Sequence, residues 1–316
     1  SNPHLVSETP LIYASICQLF CGNTTRPVIS IDWSDLDDRK AHFLLRAAIS
    51  LKGRPVTLYQ EVHCNKTKEK PATHKAFLKT LHAMLPSNCR PIIVTDAGYK
   101  SPWFRAVRAL GWDIIGRIRK PHLYSLDRGD TWQCIRYLYT QATCRPKRFD
   151  NSQIVRSNPF ACTLVLFKQK SKGRHASNPD GTRKASKRSK AHAQGAKDPW
   201  LLATSLAPHR SLSKQVVAIY RQRMQIEEGF RDMKSTKFGL GYEQNKSVKK
   251  QRLTILVLLT TLASLVAILL GIVLVSSNKH RRFQANTETR SVLSFHYLGL
   301  RACLLYTSPS PRDRSL

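Results

Sequence analysis

The sequence predicts an α/β protein built on a mixed β-sheet. Three short apolar runs near the N-terminus have strand character, and two later runs each follow a segment with helical spacing. Glycine and proline lie between these segments, where turns are expected. The order strand, strand, strand, helix, strand, helix, strand is typical of a layered α/β fold.

The first strands carry one candidate catalytic carboxylate. Val28 to Ile31 form a β-branched run that ends at Asp32, so we expect a buried strand with this carboxylate at its end. Apolar runs on both sides of Lys52-Gly53-Arg54 predict two more strands joined by a hairpin.

A second carboxylate follows a later strand. The run Pro91–Thr95 is followed directly by Asp96 and lies between two segments of helical spacing. The first of these segments begins at Thr73 and ends at Pro86, and the second is closed by Gly111. Residues 113–118 predict one more strand.

Residues 121–199 break this rhythm. The segments WQCIRYLYT and ACTLVLFKQK are strand candidates, and Lys168 to Lys197 contains ten Lys or Arg residues with one acid. We interpret the region as a β-rich insertion that carries a basic loop. The loop is either a solvated surface or a set of phosphate contacts. Residues 200–205 predict the next strand.

Composition restricts the class of partner. The 316 residues carry a formal charge of +32, which favours nucleic acid as the first partner and an anionic membrane surface as the second. It excludes an acidic disordered tail, a collagen-like repeat and an ordinary neutral metabolic enzyme. The eight cysteines have irregular spacings and predict no disulfide framework. Cys17 and Cys21 are expected to be packing residues, with zinc as the alternative.

A helix predicted from Ser213 onward carries the third acidic residue. Tyr220, Arg223, Glu227 and Lys234 fall within roughly 60° of one another at 100° per residue, so a single helix would present all four on one face. An aromatic ring, two cations and a carboxylate suit a ligand that is polyanionic and binds metal. A surface ion pair between Arg223 and Glu227 is the alternative.

Asp32, Asp96 and Glu227 together match the needs of two-metal phosphoryl transfer. Two divalent ions roughly 3.5–4 Å apart activate the attacking oxygen and stabilise the leaving oxygen, and hard cations prefer carboxylate ligands.

The run Leu253–Val275 contains no charged residue and is long enough to span a membrane. Basic residues flank it on both sides, so the charge asymmetry that orients a single span is missing. A helix buried on all sides is the competing interpretation.

The chain resembles the bacterial cut-and-paste insertion-sequence transposases that bear the Tyr-Arg-Glu-Lys signature. The resemblance spans residues 11 to about 300. The matching stretches include VISIDWSDL, RPIIVTDAGYKSPWFRAVRALGWDIIGRIR, PWLLATSL, YRQRMQIEEGFRDMKS, FGLG and FQANTETRSVLS.

This resemblance implies a ribonuclease H-like mixed sheet flanked by helices, with a β-rich insertion between the second Asp and the Glu. It also implies a catalytic and metal-binding triad of Asp32, Asp96 and Glu227 that uses two Mg²⁺ ions, which Mn²⁺ can replace. In such enzymes water nicks the transposon end, and the freed 3′-OH forms a hairpin that is reopened before strand transfer to target DNA.

The resemblance further implies contacts with double-stranded DNA, at both the transposon ends and the target. Tyr220, Arg223 and Lys234 would hold phosphates, and Trp200 would stack on a flipped-out base, unless this tryptophan only covers the core. In the basic loop, the candidate DNA-binding residues are Lys168, Lys170, Lys172 and Arg174. A homodimer, a cytoplasmic, nucleoid-associated location and a buried Leu253–Val275 helix also follow.

The expected organisation has five parts. They are a remnant of an end-binding region (1–25), the first part of the catalytic core (26–120), the insertion (121–199), the second part of the core (200–278) and a C-terminal remnant (279–316). Only 31 residues precede Asp32, and the last residues, ACLLYTSPSPRDRSL, depart from the family pattern. We therefore expect a copy truncated at both ends. A ribonuclease H-like nuclease, an inert DNA-binding remnant and a membrane-anchored basic protein remain alternatives.

Overall fold

The computed structural model describes residues 3–51, 54–119, 121–169, 198–288 and 290–307, together with Thr182 and Ser186. The chain divides into two units. The first unit comprises Ser1–Pro91 and Gln222–Leu316, and the second comprises Ile92–Arg221.

Helices and strands alternate along the chain. The helices are α1 (Pro3–Cys21), α2 (Pro71–Met84), α3 (Ser101–Ala109), α4 (Arg136–Tyr139), α5 (Leu212–Gln222), α6 (Met224–Lys234), α7 (Lys250–Ser276) and α8 (Phe295–Thr307). The strands are β1 (Val28–Asp35), β2 (His42–Ser50), β3 (Pro55–Cys64), β4 (Ile92–Thr95), β5 (Asp113–Ile118), β6 (Leu123–Ser125), β7 (Gln133–Cys134), β8 (Lys147–Ile154), β9 (Phe160–Phe167) and β10 (Trp200–Thr204). Short 3₁₀ turns cover Tyr242–Gln244 and Lys279–Phe283.

In the first unit, β1, β2 and β3 form an antiparallel sheet in the order β1-β2-β3. Helices α6 and α7 pack on it, where Ile226 and Phe230 of α6 and Val257 of α7 join Leu44 of β2 in one apolar cluster. This cluster holds α6, which carries Glu227, close to the sheet.

Strand β1 is longer than the sequence predicted. We expected it to end at Asp32, but its pairing with β2 continues to Asp35, opposite Phe43. Asp32 therefore lies in the middle of the strand, directly across from Arg46 in the register of β1 and β2. We ended the strand at its first acidic residue, although Trp33 and Ser34 continue the alternation of apolar and polar side chains that marks a half-buried strand.

Helix α1 packs against α2 and β3. Cys17 and Cys21 are completely buried, and burial raises the pKa of each thiol to about 12. The Cys17 thiol donates to the carbonyl oxygen of Leu58 at 3.6 Å. Both side chains are thus neutral thiols that pack in the core, and all eight cysteines of the chain are free.

Helix α7 contains the apolar run. By length and composition it is the one helix of the described residues that could cross a membrane, but core helices of soluble proteins pass the same test. It packs on β3 and α8, but the expectation that it is buried on all sides is wrong, because Leu259, Val266 and Val273 are exposed. The contact with α8 is close, because a Cβ atom on Gly271 would lie 1.9 Å from the carbonyl oxygen of Phe295.

In the second unit the strand order is β4-β5-β10-β9-β8-β6-β7. Strands β4 and β5 are parallel, while β10 pairs antiparallel with both β5 and β9. The expected α/β class, mixed sheet and β-rich insertion between Asp96 and Glu227 are confirmed, in agreement with a ribonuclease H-like arrangement.

Three local features of this region and its end differ from the sequence predictions. The predicted strand WQCIRYLYT forms only the two-residue β7 followed by α4, and β8 was not predicted. The single helix predicted from Ser213 begins at Leu212 and is interrupted at Arg223, which separates α5 from α6. The interruption divides the predicted four-residue face, leaving Tyr220 in the second unit.

Candidate active site

Two of the predicted carboxylates share one arginine in the first unit. Arg223 donates from one terminal nitrogen to Asp32 Oδ2 at 3.1 Å and from the other to Glu227 Oε1 at 2.6 Å. Arg223 is only 8 % exposed, whereas the Glu227 side chain is half-exposed. The guanidinium therefore joins the middle of β1 to the first turn of α6.

A second cation binds the same strand. Lys234 Nζ donates to Ser34 Oγ at 2.8 Å. Ser34 lies two residues beyond Asp32 and therefore on the same side of β1. Burial is the largest influence on the Lys234 ammonium and lowers its pKa. Arg223, Glu227 and Lys234 thus lie along one side of α6, as their spacing predicts.

Packing holds α6 against the sheet between these contacts. Arg46 of β2 is buried, and its guanidinium stacks 4.6 Å from the ring centroid of Phe230. A Cβ atom on Gly229 would come within 2.7 Å of the Pro55 ring, so glycine permits the close approach of helix and strand. Glu228, the next acid along, turns away and pairs with Arg54 and Arg231.

Hydrogen bonds hold Trp33, the residue that follows Asp32. Trp33 donates from Nε1 to Nε2 of His74 at 3.1 Å, and its backbone N–H donates to Asp32 Oδ1 at 2.8 Å. Burial, followed by the nearby His63, lowers the pKa of the His74 imidazole to about 4. A neutral His74 is the form that accepts this hydrogen bond, so the contact keeps Trp33, and with it Asp32, in place.

The third carboxylate belongs to the second unit. Asp96 directly follows β4, as predicted, and its Oδ1 accepts the backbone N–H of Gly98 at 2.8 Å. A Cβ atom on Gly98 would lie 3.1 Å from that oxygen, so the turn closes tightly around the carboxylate.

Trp200 and Tyr220 contact each other in the second unit. Their ring centroids are 4.9 Å apart in an edge-to-face arrangement, and the ring centroid of Phe167 lies 5.8 Å from that of the indole. Tyr220 is buried and Trp200 is partly exposed. Lys168 follows Phe167 and is exposed, whereas Lys170, Lys172 and Arg174 lie outside the described residues.

Arg117 is a buried arginine that contacts the residues just before Trp200 and that the sequence analysis did not single out. It is 9 % exposed on β5 and donates to the carbonyl oxygens of Asp198 at 3.1 Å and Pro199 at 3.4 Å, immediately before Trp200. Burial, followed by Arg119, lowers its pKa, while Tyr220 acts in the opposite direction. Two arginines separated by one residue in a predicted strand, in GRIRK, were the available signal.

The residues suit a hard divalent cation in their chemistry. Asp32 and Glu227 contribute carboxylate oxygens, which Mg²⁺ and Mn²⁺ prefer, and both lie within hydrogen-bond reach of the same guanidinium. Among the described residues, no group of three or more His, Cys, Asp or Glu side chains is arranged to hold a metal ion. In the structure, the guanidinium of Arg223 contacts one oxygen of each of these two carboxylates.

Comparison with known proteins agrees with this chemistry. The family model described as a transposase DDE domain matches residues 24–266, a range that includes Asp32, Asp96 and Glu227. No curated protein sequence matches the chain. Since the family match covers well over half of the 316 residues, the chain belongs to the DDE transposase family, whose members are enzymes that bind and recombine DNA.

Proposed function

We propose that this transposase uses Asp32, Asp96 and Glu227 as the ligands of two Mg²⁺ ions, which Mn²⁺ can replace, and that it cuts and joins DNA at insertion-sequence ends. The observation that carries the proposal is the guanidinium of Arg223, which holds Asp32 and Glu227 together although 195 positions separate them in the sequence. Asp96 is the proposed third ligand, which is supported by its position directly after β4 and within the range of the family match.

Mg²⁺ ions, when bound, would lower the pKa of the attacking water and neutralise charge on the phosphate. In the proposed sequence, water cleaves one phosphodiester and releases a 3′-OH. This hydroxyl attacks the opposite strand, which forms a hairpin and releases the flanking DNA with a 3′-OH end. A second water reopens the hairpin, and the regenerated 3′-OH attacks a target phosphodiester, joining to the phosphate and releasing a target 3′-OH. The chain's own residues position each of these phosphodiesters.

Cationic and aromatic side chains would hold the DNA. Arg223 and Lys234 are proposed partners of phosphates near the cut, where Tyr220 supplies a hydroxyl donor. Trp200 would stack on a flipped base, a contact that contributes about 1–3 kcal/mol. Its partly exposed indole supports this role. Lys168, Lys170, Lys172 and Arg174 would follow the backbone of the duplex.

We extend the proposal to the assembly and its setting. The enzyme would act as a homodimer on chromosomal DNA in the bacterial cytoplasm, in association with the nucleoid. We also propose that it resembles the transposase of the composite tetracycline-resistance transposon.

Strand cleavage with two adjacent glutamate variants tests this function. Purified protein with Mn²⁺ is given a DNA duplex that ends in the element's inverted repeat, and products are separated on a denaturing gel. Glu227→Gln should abolish nicking and hairpin formation. Glu228→Gln should retain both, because Glu228 pairs with Arg54 and Arg231 instead.

Two outcomes would reject the proposal. Equal activity of the two variants would remove Glu227 from the site. Cleavage that yields free ends without a hairpin would identify a plain nuclease of the same fold.

A further inference from the structure

We propose that Arg223 competes with divalent metal for Asp32 and Glu227, so that the guanidinium holds the two carboxylates until a cation displaces it. The inference rests on the proposed function, because it assumes that these carboxylates bind metal. It assigns Arg223 a role before DNA is cut, in addition to holding phosphate.

The two carboxylates need positive charge between them. Two carboxylates held close together repel each other unless a cation lies between them. In the first unit, Arg223 supplies this charge through one hydrogen bond to each carboxylate, at 3.1 Å to Asp32 and 2.6 Å to Glu227. One side chain therefore offsets one of the two negative charges, whereas a divalent ion would offset both.

Arg223 bonds to the carboxylate oxygens that a metal ion would approach. The Oδ1 atom of Asp32 accepts the backbone N–H of Trp33, and the Oδ2 atom accepts Arg223. A cation that approaches the Oδ2 side of Asp32 and the Oε1 side of Glu227 meets the guanidinium. Since a cation and a guanidinium repel each other, binding of the metal expels Arg223 from at least one of these oxygens.

The other cationic side chains near Arg223 have contacts of their own. Arg54 pairs with Asp232, and Lys234 donates to Ser34. Arg231 pairs with Glu228. Removal of Arg223 would therefore leave Asp32 and Glu227 without the cation seen between them, and a divalent ion would replace it more easily.

Release of Arg223 would have a second consequence. A guanidinium displaced from carboxylates is available to the planar, two-point contacts that arginine makes with phosphate. Metal binding and phosphate binding by Arg223 would then be coupled. The enzyme would present this arginine to DNA only when the carboxylates are loaded with metal.

Metal affinity measured without DNA tests the inference. Mn²⁺ binding to the full chain is followed by electron paramagnetic resonance of the free ion at low salt. Arg223→Gln should bind Mn²⁺ about tenfold more tightly than the unmodified protein, because the competing charge-assisted hydrogen bonds are lost. Arg231→Gln is the matched control: it removes one positive charge from the same helix and should leave Mn²⁺ affinity unchanged.

The outcomes separate this inference from the proposed function. Unchanged or weaker Mn²⁺ binding by Arg223→Gln overturns the competition. If Asp32→Asn and Glu227→Gln leave Mn²⁺ binding unaltered, the metal site itself is wrong and both proposals fail. If these two variants lose Mn²⁺ while Arg223→Gln gains nothing, only the role of Arg223 is rejected.

A measurement on the unmodified sequence covers the case in which Arg223→Gln does not fold. Side-chain nitrogen signals of ¹⁵N-arginine-labelled protein are recorded during a Mg²⁺ titration, with Arg223 assigned by its loss in Arg223→Lys. Mg²⁺ should shift the Nε–H signal of Arg223 and leave that of Arg231 in place. An Arg223 signal that does not respond while Mg²⁺ binds overturns the inference.

Discussion

The ammonium of Lys234 lies 2.8 Å from the hydroxyl of Ser34, two residues beyond the proposed metal ligand Asp32 on the same strand. Lys234 ends α6 and Arg223 precedes it, so the helix contacts β1 through a cation at each end. Asp35, Asp38 and Glu243 partly oppose the effect of burial on the Lys234 pKa, and the hydrogen bond to a hydroxyl leaves the ammonium available to an incoming phosphate.

Loss of this charge should weaken DNA binding in a salt-dependent way. We expect Lys234→Met to lower affinity for duplex DNA similarly across sequences and to reduce the slope of log K against log salt by about one. Fluorescence anisotropy at several salt concentrations measures this slope. Lys237→Met is the control, since Lys237 is exposed and lies over the Phe238 ring. An unaltered slope for Lys234→Met would exclude a phosphate contact.

Acid should destabilise the first unit through His74. Burial lowers its pKa to about 4, whereas an unfolded histidine titrates near 6.5, so the unfolded chain binds the proton more strongly. The stability contributed by the neutral imidazole is complete above about pH 6.5 and declines as the pH falls towards 4. Over this interval we expect a loss of roughly 2 kcal/mol.

Urea unfolding at several pH values, compared between the unmodified protein and His74→Gln, isolates this contribution. Glutamine can still accept the Trp33 N–H but does not titrate. The difference in unfolding free energy between the two proteins should change between pH 6.5 and pH 4. A difference that is constant over this range would show that His74 does not titrate as stated.

The close packing of α7 on α8 should require a residue without a side chain at Gly271. Gly271→Val would place a Cβ atom 1.9 Å from the Phe295 carbonyl oxygen, and backbone must move to accommodate it. We expect a loss of about 2–3 kcal/mol in unfolding free energy. Ile272→Ala, at the neighbouring exposed position, should cost much less. Equal losses in thermal or urea unfolding would refute this close packing.

Arg117 should fix the position of Trp200. Arg117→Met removes two hydrogen bonds to the backbone that leads into Trp200, so the indole should become more mobile. ¹⁹F spectra of protein labelled with 5-fluorotryptophan, with Trp200 assigned through Trp200→Phe, would report this as a shifted or broadened signal. Arg105→Met is the control, because Arg105 bonds to Asn158 and Pro159 instead. An identical Trp200 signal in Arg117→Met would argue against a positioning role.

Strand and helix types followed from the sequence where one face is apolar. The predicted strand 113–118 has the bounds found for β5, and Asp96 follows β4 as expected. The end of β1 was misplaced because we ended the strand at its first acidic residue, although the alternation of apolar and polar residues continues through Trp33 and Ser34. The interruption of the helix at Arg223 left no mark in the spacing of the residues around it.

The chemistry of the site was more visible in the sequence than its contacts. Spacing on a helix indicated a shared face for Arg223, Glu227 and Lys234, and hard-cation chemistry indicated the carboxylates. The partner of each cation depends on which strand the helix packs against, and no local pattern encodes that choice. The contact between Arg223 and Asp32 joins positions 191 residues apart and appears only in the folded chain.

Metal-directed cleavage of the polypeptide tests the convergence of the three carboxylates most directly. Fe²⁺ is added in place of Mg²⁺ to the protein bound to transposon-end DNA, with ascorbate and peroxide, and the chain fragments are mapped by mass spectrometry. We expect cuts close to Asp32, Asp96 and Glu227 in one reaction, all suppressed by excess Mg²⁺ and by Glu227→Gln. Cuts near only one of these residues, or cuts that excess Mg²⁺ does not suppress, would contradict a shared metal site.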